Sequence, residues 1–204
     1  MTDLRNTPVA LPSQDAPFAI RAERASDVVA REALLDACFG ENRHMRTCQR
    51  LRDGRAPAEG LGLSAVHEGR LVGTVRLWHV SAGGIPALIL GPLAVEQSSR
   101  KLGVGAALMA RALAAAMERG HRAVILLGDA PYYARFGFST AKTADLVLPG
   151  DFERERLLGI ELHEGALDGA WGMILPTGAS APKARGVRGR KSVRKSARLV
   201  PHAA

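Results

Sequence analysis

A short glycine-containing segment holds the residues whose types and spacing are best suited to chemistry. It runs from Arg100 to Ala106 with the sequence RKLGVGA, just ahead of an alanine-rich stretch. Glycines carry no Cβ, so the backbone there can approach a ligand closely. The first N–H groups of a helix lack intrahelical partners, and the helix dipole favours negative charge beside them. The segment therefore predicts a cradle for an anion, and a diphosphate is the expected ligand.

Two common diphosphate motifs do not fit this segment. The P-loop pattern GxxxxGK[ST] is absent, and the dinucleotide pattern GxGxxG fails because Leu108 stands at the place of the third glycine. The segment also follows about four strand candidates, whereas the dinucleotide loop follows the first strand of its domain. A GxG pair alone fits a helix start that binds nothing equally well, so the neighbouring elements must decide.

The element before the glycines is an apolar run from Ala87 to Val95, with the sequence ALILGPLAV. Continuous apolar runs of this kind are typical of strands that are buried on both faces. Gly91 and Pro92 interrupt the run, and proline has no N–H to donate to a neighbouring strand. We therefore expect a bulge or a splayed edge at that point.

The element after the glycines is a helix predicted from Val104 to Arg119, which Gly120 ends. A second apolar run, AVILL from Ala123 to Leu127, follows it. A strand, a helix and another buried strand in succession predict a crossover connection, in which the two strands lie parallel.

The remaining elements are predicted from periodicity, caps and turn residues. They are a strand at 18–23, a helix from Val28 to a stop at Gly40, a second short helix at 41–53, a hairpin of 63–67 and 71–80, a short helix or turn at 130–136, and strands at 157–163 and 170–175. Residues 1–16 are expected to form a disordered leader, and residues 177–204 a disordered tail.

Three short patterns lie in a fixed order along the chain. They are L-x-V at Leu93 and Val95, R-x-x-G-x-G at Arg100, Gly103 and Gly105, and Y-x-R-x-G-F from Tyr133 to Phe138. One predicted helix and one predicted strand separate the second pattern from the third. Together they resemble the acetyl-CoA-binding motif [Q/R]-x-x-G-x-[G/A] and the downstream Y-x-[K/R]-x-G-F segment of the GNAT superfamily of N-acetyltransferases. The resemblance extends over residues 17–176.

The resemblance implies a fold and a ligand. The fold is a single α/β (α+β) domain at 17–176, with a mixed, mostly antiparallel sheet of about six or seven strands. Helices flank that sheet, and its central parallel pair splays apart. The ligand is acetyl-CoA, the acyl donor, with pantetheine in the gap and pyrophosphate on the glycine segment. The implied cofactor-binding residues are Leu93, Ala94, Val95, Arg100, Lys101, Leu102, Gly103, Val104, Gly105 and Ala106.

The sequence departs from the family pattern at two of these positions. Glycine is frequent in the family where Lys101 stands, and a basic residue is frequent where Leu102 stands. Backbone amides do not depend on the side chain, so the resemblance implies a main-chain role at both positions.

Tyr133 matches the general acid of the family. A phenol, with a reference pKa of about 10, can give a proton to the leaving thiolate. The alternative is an aromatic side chain that only packs beside Phe136 and Phe138, and Tyr132 is the neighbour with which Tyr133 can be confused. Candidates for the base that deprotonates the amine are Glu96, Glu41 and His79, although each of these residue types is more often an ordinary surface or sheet residue.

The implied activity is transfer of an acetyl group from acetyl-CoA to a primary amine of a small molecule or protein. The alternative is a non-catalytic acyl-CoA-binding module. The acceptor site is expected between residues 39–62 and the last strands, where no acidic cluster indicates a polyamine. The histidines form no metal-binding pattern, so no metal is expected.

The positive charge is confined to the end of the chain. Residues 177–204 hold eight of the 28 Lys and Arg and none of the 20 Asp and Glu, which leaves residues 1–176 formally neutral. The tail is therefore the one place where nucleic acid or an anionic membrane surface is expected to bind, and a solvated tail without a partner is the alternative. Without a signal-like or membrane-spanning run, and with Cys38 and Cys48 unmatched to any motif, a cytoplasmic protein is expected.

Overall fold

The computed structural model describes residues 16–181, which form a sheet with helices on its faces. The strands are β1 Ala19–Ala22, β2 Gly62–His67, β3 Arg70–Ala82, β4 Ile85–Val95, β5 Ala123–Leu127, β6 Leu146–Val147, β7 Leu157–Glu161 and β8 Gly172–Pro176. The α-helices are α1 Val28–Phe39, α2 Val104–Glu118 and α3 Ala130–Ala134. Among the helices of residues 16–181, none is long and apolar enough to cross a lipid bilayer.

The main path through the sheet is β1-β2-β3-β4-β5-β7. Along this path only β4 and β5 run parallel, as the crossover through α2 requires. β8 pairs antiparallel with the far end of β3, at Val80–Ala82, and parallel with the short β6. The predicted mixed, mostly antiparallel sheet with a central parallel pair is confirmed.

The two parallel strands separate soon after they meet. Their pairing consists of Leu88 with Val124 and Ile89 with Ile125. On the other edge of β4, the register against β3 shifts between Val75 and Leu77, opposite the Gly91-Pro92 interruption. Beyond that shift β4 pairs with β3 alone, so one edge of its last residues is open. The expected bulge and the expected splay are both present.

The apolar character of β4 and β5 follows from burial on both faces of the sheet. Successive strand residues point to opposite faces. Leu88, Leu90, Val124 and Leu126 enter the core that α2 covers, whereas Ala87, Ile89, Ala123 and Ile125 enter a second core with Leu146, Leu157 and Ile174. A smaller cluster joins Leu34 and Leu35 of α1 to Ala94. Helix α2 thus packs beside the part of β4 that pairs with β5, and helix α1 packs beside its open end.

The predicted short helix at 41–53 is wrong in type. Two 3₁₀-helices occupy the segment, Glu41–Met45 and Thr47–Leu51, because Arg46 between them has an extended backbone. Contacts distant in sequence hold the second of them. The Thr47 hydroxyl donates to the Asp151 carbonyl, and Arg50 Nη1 donates to the Pro149 carbonyl at 3.0 Å. The segment is therefore hydrogen-bonded directly to the loop before β7.

The backbone remains paired slightly beyond residue 176. The Thr177 N–H donates to the His79 carbonyl at 3.1 Å, and residues 179 and 181 bond to Ala56 and Gly54 at 2.8 Å. At the start of the predicted tail, residues 177, 179 and 181 therefore have backbone hydrogen bonds to earlier parts of the chain. Residues 1–15 of the predicted leader at 1–16 lie outside the described residues. The basic part of the tail at 182–204 and its expected contact with nucleic acid lie outside them as well.

Candidate active site

A cavity of about 400 Å³ lies at the open edge of β4, beside the start of α2. It is lined by Cys38, Phe39, Leu93, Ala94, Val95, Arg100, Gly103, Gly105, Ala106, Tyr132, Tyr133 and Arg135. Three segments that are distant in the sequence thus meet here: the end of α1, the splayed strand with the glycine segment, and α3. The three patterns that carry the family resemblance lie on the walls of one cavity.

The start of α2 provides free backbone donors at this cavity. Gly103 is the N-cap, with φ +77° and ψ 10°, a left-handed conformation that glycine adopts without strain. The first intrahelical bond runs from the Ala107 N–H to the Gly103 carbonyl at 3.0 Å. The N–H groups of Val104, Gly105 and Ala106 precede it, and such groups together with the helix dipole favour an anion.

Gly105 keeps the cradle open. A Cβ built on this residue would lie 3.0 Å from the Tyr132 hydroxyl and 3.6 Å from Val95 Cγ2. Any side chain would therefore fill the space between the helix start, β4 and α3. The space and the donors fit a diphosphate that continues into an extended arm along β4.

Alternation along β4 directs further backbone groups toward the cavity. The Glu96 N–H donates to the Val72 carbonyl of β3 at 2.8 Å. Because neighbouring strand residues direct their N–H and C=O groups to opposite edges, those of Val95 and Leu93 face away from β3. The Cys38 thiol confirms this direction for Val95, since Sγ lies 3.5 Å from its carbonyl oxygen. Val95 and Leu93 therefore present donors to the gap.

The predicted cofactor-binding residues take different positions. Arg100 lines the cavity with an exposed side chain. Lys101 and Leu102 are exposed in the 3₁₀-helix Gln97–Leu102 and do not line it. The side chains of Val104 and Ala94 are buried in the cores, which leaves only their backbone for a ligand.

Tyr133 lies where the cavity reaches the splay. Its ring packs over Gly128, where an added Cβ would lie 2.2 Å from Tyr133 Cε2, and edge-on to Phe138 at a centroid distance of 6.0 Å. Burial, with smaller contributions from Tyr132 and Asp129, raises the pKa of Tyr133 to about 12. The phenol therefore keeps its proton at neutral pH and is available as a donor.

Tyr132 contacts the same cavity from the other side of α3. Its ring meets Tyr133 edge-on at 4.9 Å, and the Arg135 guanidinium stacks on it with Cζ 4.0 Å from the ring centroid. Its hydroxyl points to Gly105, at the anion cradle. The two neighbouring tyrosines thus occupy different places, Tyr132 over the start of α2 and Tyr133 against the strand end of β5.

A second cavity, of about 700 Å³, adjoins the first at the splay. The two cavities share Phe39, Leu93, Tyr132 and Tyr133. One outer wall comes from the 3₁₀-helices after α1, within the 39–62 segment where the acceptor site is expected, and another comes from the loop before β7. The last strands, which the sequence also predicts at the acceptor site, do not line this cavity. Two ligands in the adjoining cavities can therefore meet beside Tyr133.

The second cavity contains charges of both signs. Its acidic residues are Asp129, Asp151 and Glu153, and its basic residues are Arg43, Arg46, Arg52 and Arg156. Asp129, the residue before α3, was not predicted from the sequence. A lone aspartate at a helix start resembles any N-cap, and only the fold brings it beside Tyr133.

The predicted base candidates lie elsewhere. Glu96 pairs with Arg70 at 3.0 Å, and the ring of His79 faces that of His121 at 5.2 Å. Neither these two residues nor Glu41 line either cavity. Within residues 16–181, no group of three His, Cys, Asp or Glu side chains is arranged to hold a metal ion.

Comparison with known proteins defines the class of this fold and site. Residues 29–138 match the model of the acetyltransferase (GNAT) family, and the chain belongs to that family. It is 30% identical over 157 residues to the uncharacterized N-acetyltransferase YhbS of Escherichia coli, which covers 76% of this chain and 93% of that protein.

Solved structures agree with this assignment. The crystal structure of E. coli YhbS in complex with CoA superimposes with a TM-score of 0.68 at 29% identity, over 82% of this chain and 94% of that one. A GNAT family acetyltransferase from Brucella melitensis, solved with acetyl-CoA, gives a TM-score of 0.57 at 23% identity over 83% and 97% of the two chains. The second likeness concerns the fold.

Proposed function

We propose that this protein transfers the acetyl group of acetyl-CoA to a primary amine by direct attack on the thioester. The observation that carries the proposal is the junction of two cavities at the open edge of β4, beside a protonated tyrosine. One cavity has the donors for a diphosphate and an extended arm. The other has carboxylates and guanidiniums suited to a polar acceptor.

The acyl donor is assigned to the cavity at the start of α2. The free N–H groups of Val104, Gly105 and Ala106 would hold the pyrophosphate, with the Arg100 guanidinium as an additional charge. Leu93 and Val95 would bond the pantetheine arm through their backbone. The CoA bound to the related E. coli protein supports this choice of ligand.

The chemistry assigned to the junction requires three groups from the protein. The amine nitrogen forms a bond to the carbonyl carbon, the carbon–sulfur bond breaks, and the sulfur leaves with the electron pair. A backbone N–H at Val95 can stabilise the negative charge that develops on the carbonyl oxygen. Tyr133 gives its proton to the sulfur, and the carboxylate of Asp129 takes a proton from the amine. Proton exchange with solvent then returns both side chains to their starting states.

A non-catalytic acyl-CoA-binding module is the alternative, and release of CoA distinguishes the two. The assay mixes the protein with acetyl-CoA and a panel of primary amines and detects the free thiol with a chromogenic reagent. Release that depends on a particular amine supports acetyl transfer. Tight binding of acetyl-CoA without amine-dependent release, across small amines and amine-bearing peptides, would support the binding module.

A further inference from the structure

The Arg52 side chain, which has no hydrogen-bond or ion-pair partner within residues 16–181, lies at the bulge of β4. The guanidinium of Arg52 reaches Gly91, where a built Cβ would be 3.4 Å from its Nη1. Arg52 Nε is shielded from solvent and has no hydrogen-bond partner within residues 16–181. Arg52 lines the second cavity, on the wall formed by the 3₁₀-helix Thr47–Leu51.

The other charges of that wall already have partners. Arg43 donates to Glu32 at 2.5 Å and to Asp36 at 2.6 Å. Asp53, next to Arg52 in the sequence, accepts from Gln49 Nε2 at 2.7 Å. Arg52 forms no ion pair with any residue of 16–181.

The two remaining arginines of the cavity are exposed. On the opposite wall, Arg156 lies 3.6 Å from Glu153. On the near rim, Arg46 has its Cζ 4.9 Å from the Phe39 ring centroid. Arg52 is therefore a half-buried cation of the cavity, and its Nε is shielded and unpartnered within residues 16–181.

A shielded cation without a partner is costly, and a ligand can remove that cost. Burial lowers the pKa of Arg52. The nearby Cys48 and Asp53 oppose this lowering in part, and Arg43 and Arg46 add to it. A carboxylate matches a guanidinium because its two oxygens accept two parallel N–H bonds. We propose that the acceptor is an amine that carries a carboxylate, which binds to Arg52. This inference rests on the proposed function, since it names the substrate class of the same reaction.

The position of Arg52 places the acceptor in the second cavity. Arg52, Gly91 and Leu93 all line that cavity, and Leu93 also lines the first cavity. Asp129, another lining residue, can receive the ammonium group before it loses its proton. A short amino acid, with one to three carbons between nitrogen and carboxylate, is therefore the expected acceptor.

A phosphate-bearing amine fits less well. One unpartnered guanidinium balances a carboxylate, whereas a phosphate dianion requires more positive charge. Asp151 and Glu153 add negative charge to the same cavity.

The test uses conjugates in which the CoA sulfur is joined to the methyl carbon of an N-acetylated amino acid. Glycine, β-alanine and γ-aminobutyrate conjugates are each compared with the same conjugate as its carboxamide, by calorimetric titration. At one spacing or more, we expect the carboxylate to bind about 10- to 100-fold more tightly, the range of a charge-assisted bond pair. In the Arg52→Gln protein the preference should disappear while the carboxamide binds as before.

Two controls make the result decisive. Arg111→Gln removes a surface cation of α2 that pairs with Glu118 and should keep the full preference. Thermal unfolding should show that Arg52→Gln is no less stable than the wild type, since an unpartnered cation is lost. Three results would overturn the inference. They are equal binding of the carboxylate and carboxamide conjugates at all three spacings, a carboxylate preference that survives Arg52→Gln, and tighter binding of an aminomethylphosphonate conjugate than of the carboxylate conjugates. If CoA alone does not bind, the proposed function fails as well, and this is seen separately from the carboxylate preference.

Discussion

Two regions of the molecule differ in how many hydrogen-bond partners their buried charged groups have. At the junction of β1 and α1, Glu23 accepts bonds from both Arg31 and Arg76, with Arg76 Nε at 2.6 Å. Asp27 nearby accepts from Arg21 at 2.6 and 2.8 Å, from the Arg24 N–H at 2.8 Å and from the Ser64 hydroxyl at 3.0 Å. In the second cavity, by contrast, Arg52 Nε has no hydrogen-bond partner within residues 16–181.

The difference separates structural charges from functional ones. A fully partnered network gains specificity for one fold and offers nothing to a ligand. Groups that a fold shields and leaves without partners can bind or react when a ligand arrives. Substitutions in the β1–α1 network, formed by Arg21, Glu23, Asp27, Arg31 and Arg76, should therefore reduce stability and leave catalysis intact. Substitutions in the two cavities should reduce catalysis and leave stability intact.

The largest expected effect concerns Tyr133. Replacement by Phe removes the proton donor, so kcat should fall by about 10² to 10⁴ while the Kd for acetyl-CoA changes little. Steady-state CoA release and calorimetric titration measure the two quantities. The matched control is Tyr132→Phe, which removes a hydroxyl from the other side of α3. An unchanged kcat for Tyr133→Phe, or a larger loss for Tyr132→Phe, would move the donor role away from Tyr133.

The next effect belongs to the β1–α1 network. Asp27→Asn replaces a buried carboxylate and should lower the free energy of unfolding by about 2–3 kcal/mol, with kcat/KM unchanged at 25 °C. Bonds from Arg21 lower the pKa of the Asp27 carboxyl below its ordinary value. Its stabilisation is thus present above the unfolded-state pKa, about 3.9, and is lost as the pH falls further. Urea unfolding at pH 7 and pH 3 should show a gap between the two proteins that narrows in acid; a constant gap would contradict the ionic origin.

A smaller effect is expected at the anion cradle. Gly105→Val places a branched side chain against the Tyr132 hydroxyl. It should raise the KM for acetyl-CoA about 10-fold or more, because at least one backbone hydrogen bond to the pyrophosphate would be lost. Gly105→Ala should have a weaker effect in the same direction. Both variants should fold as stably as the wild type in thermal unfolding. A KM that is insensitive to both changes would mean that acyl-CoA does not pass over the start of α2.

The smallest effect is expected at Arg100. Its side chain is exposed, so Arg100→Gln should weaken acetyl-CoA binding by about two- to threefold at low salt. The difference should vanish in 0.5 M salt, where the screening length falls to about 4 Å. A loss above tenfold that persists at high salt would show a shielded contact instead.

Local patterns predicted the elements of the site because each rests on a residue with a specific physical role. Gly103 starts α2, the Gly91-Pro92 interruption disturbs the register against β3, and the apolar runs of β4 and β5 record burial on two faces. The placement of Arg52 and Asp129 could not be predicted. Contacts some hundred residues apart, such as Thr47 with Asp151, bring their segments to one cavity, and no local pattern records such contacts.

The predicted helix at 41–53, after α1, was wrong for a related reason. Its polar residues suggested a helix, but tertiary bonds from Thr47 and Arg50 to the 149–151 loop hold it as two 3₁₀ turns. The same bonds form the wall that carries Arg52. The wall that carries Arg52 is thus the part of the site that depends most on the assembled fold.

Direct detection of the product is the measurement closest to the central claim. The protein is incubated with acetyl-CoA labelled with carbon-13 in the acetyl group and with a mixture of amines, and the label is followed by NMR and mass spectrometry. Acetyl transfer predicts label in an amide on a primary amine, formed at least a hundredfold more slowly by Tyr133→Phe. Label that stays in the thioester with every amine, although acetyl-CoA is bound, would contradict the account.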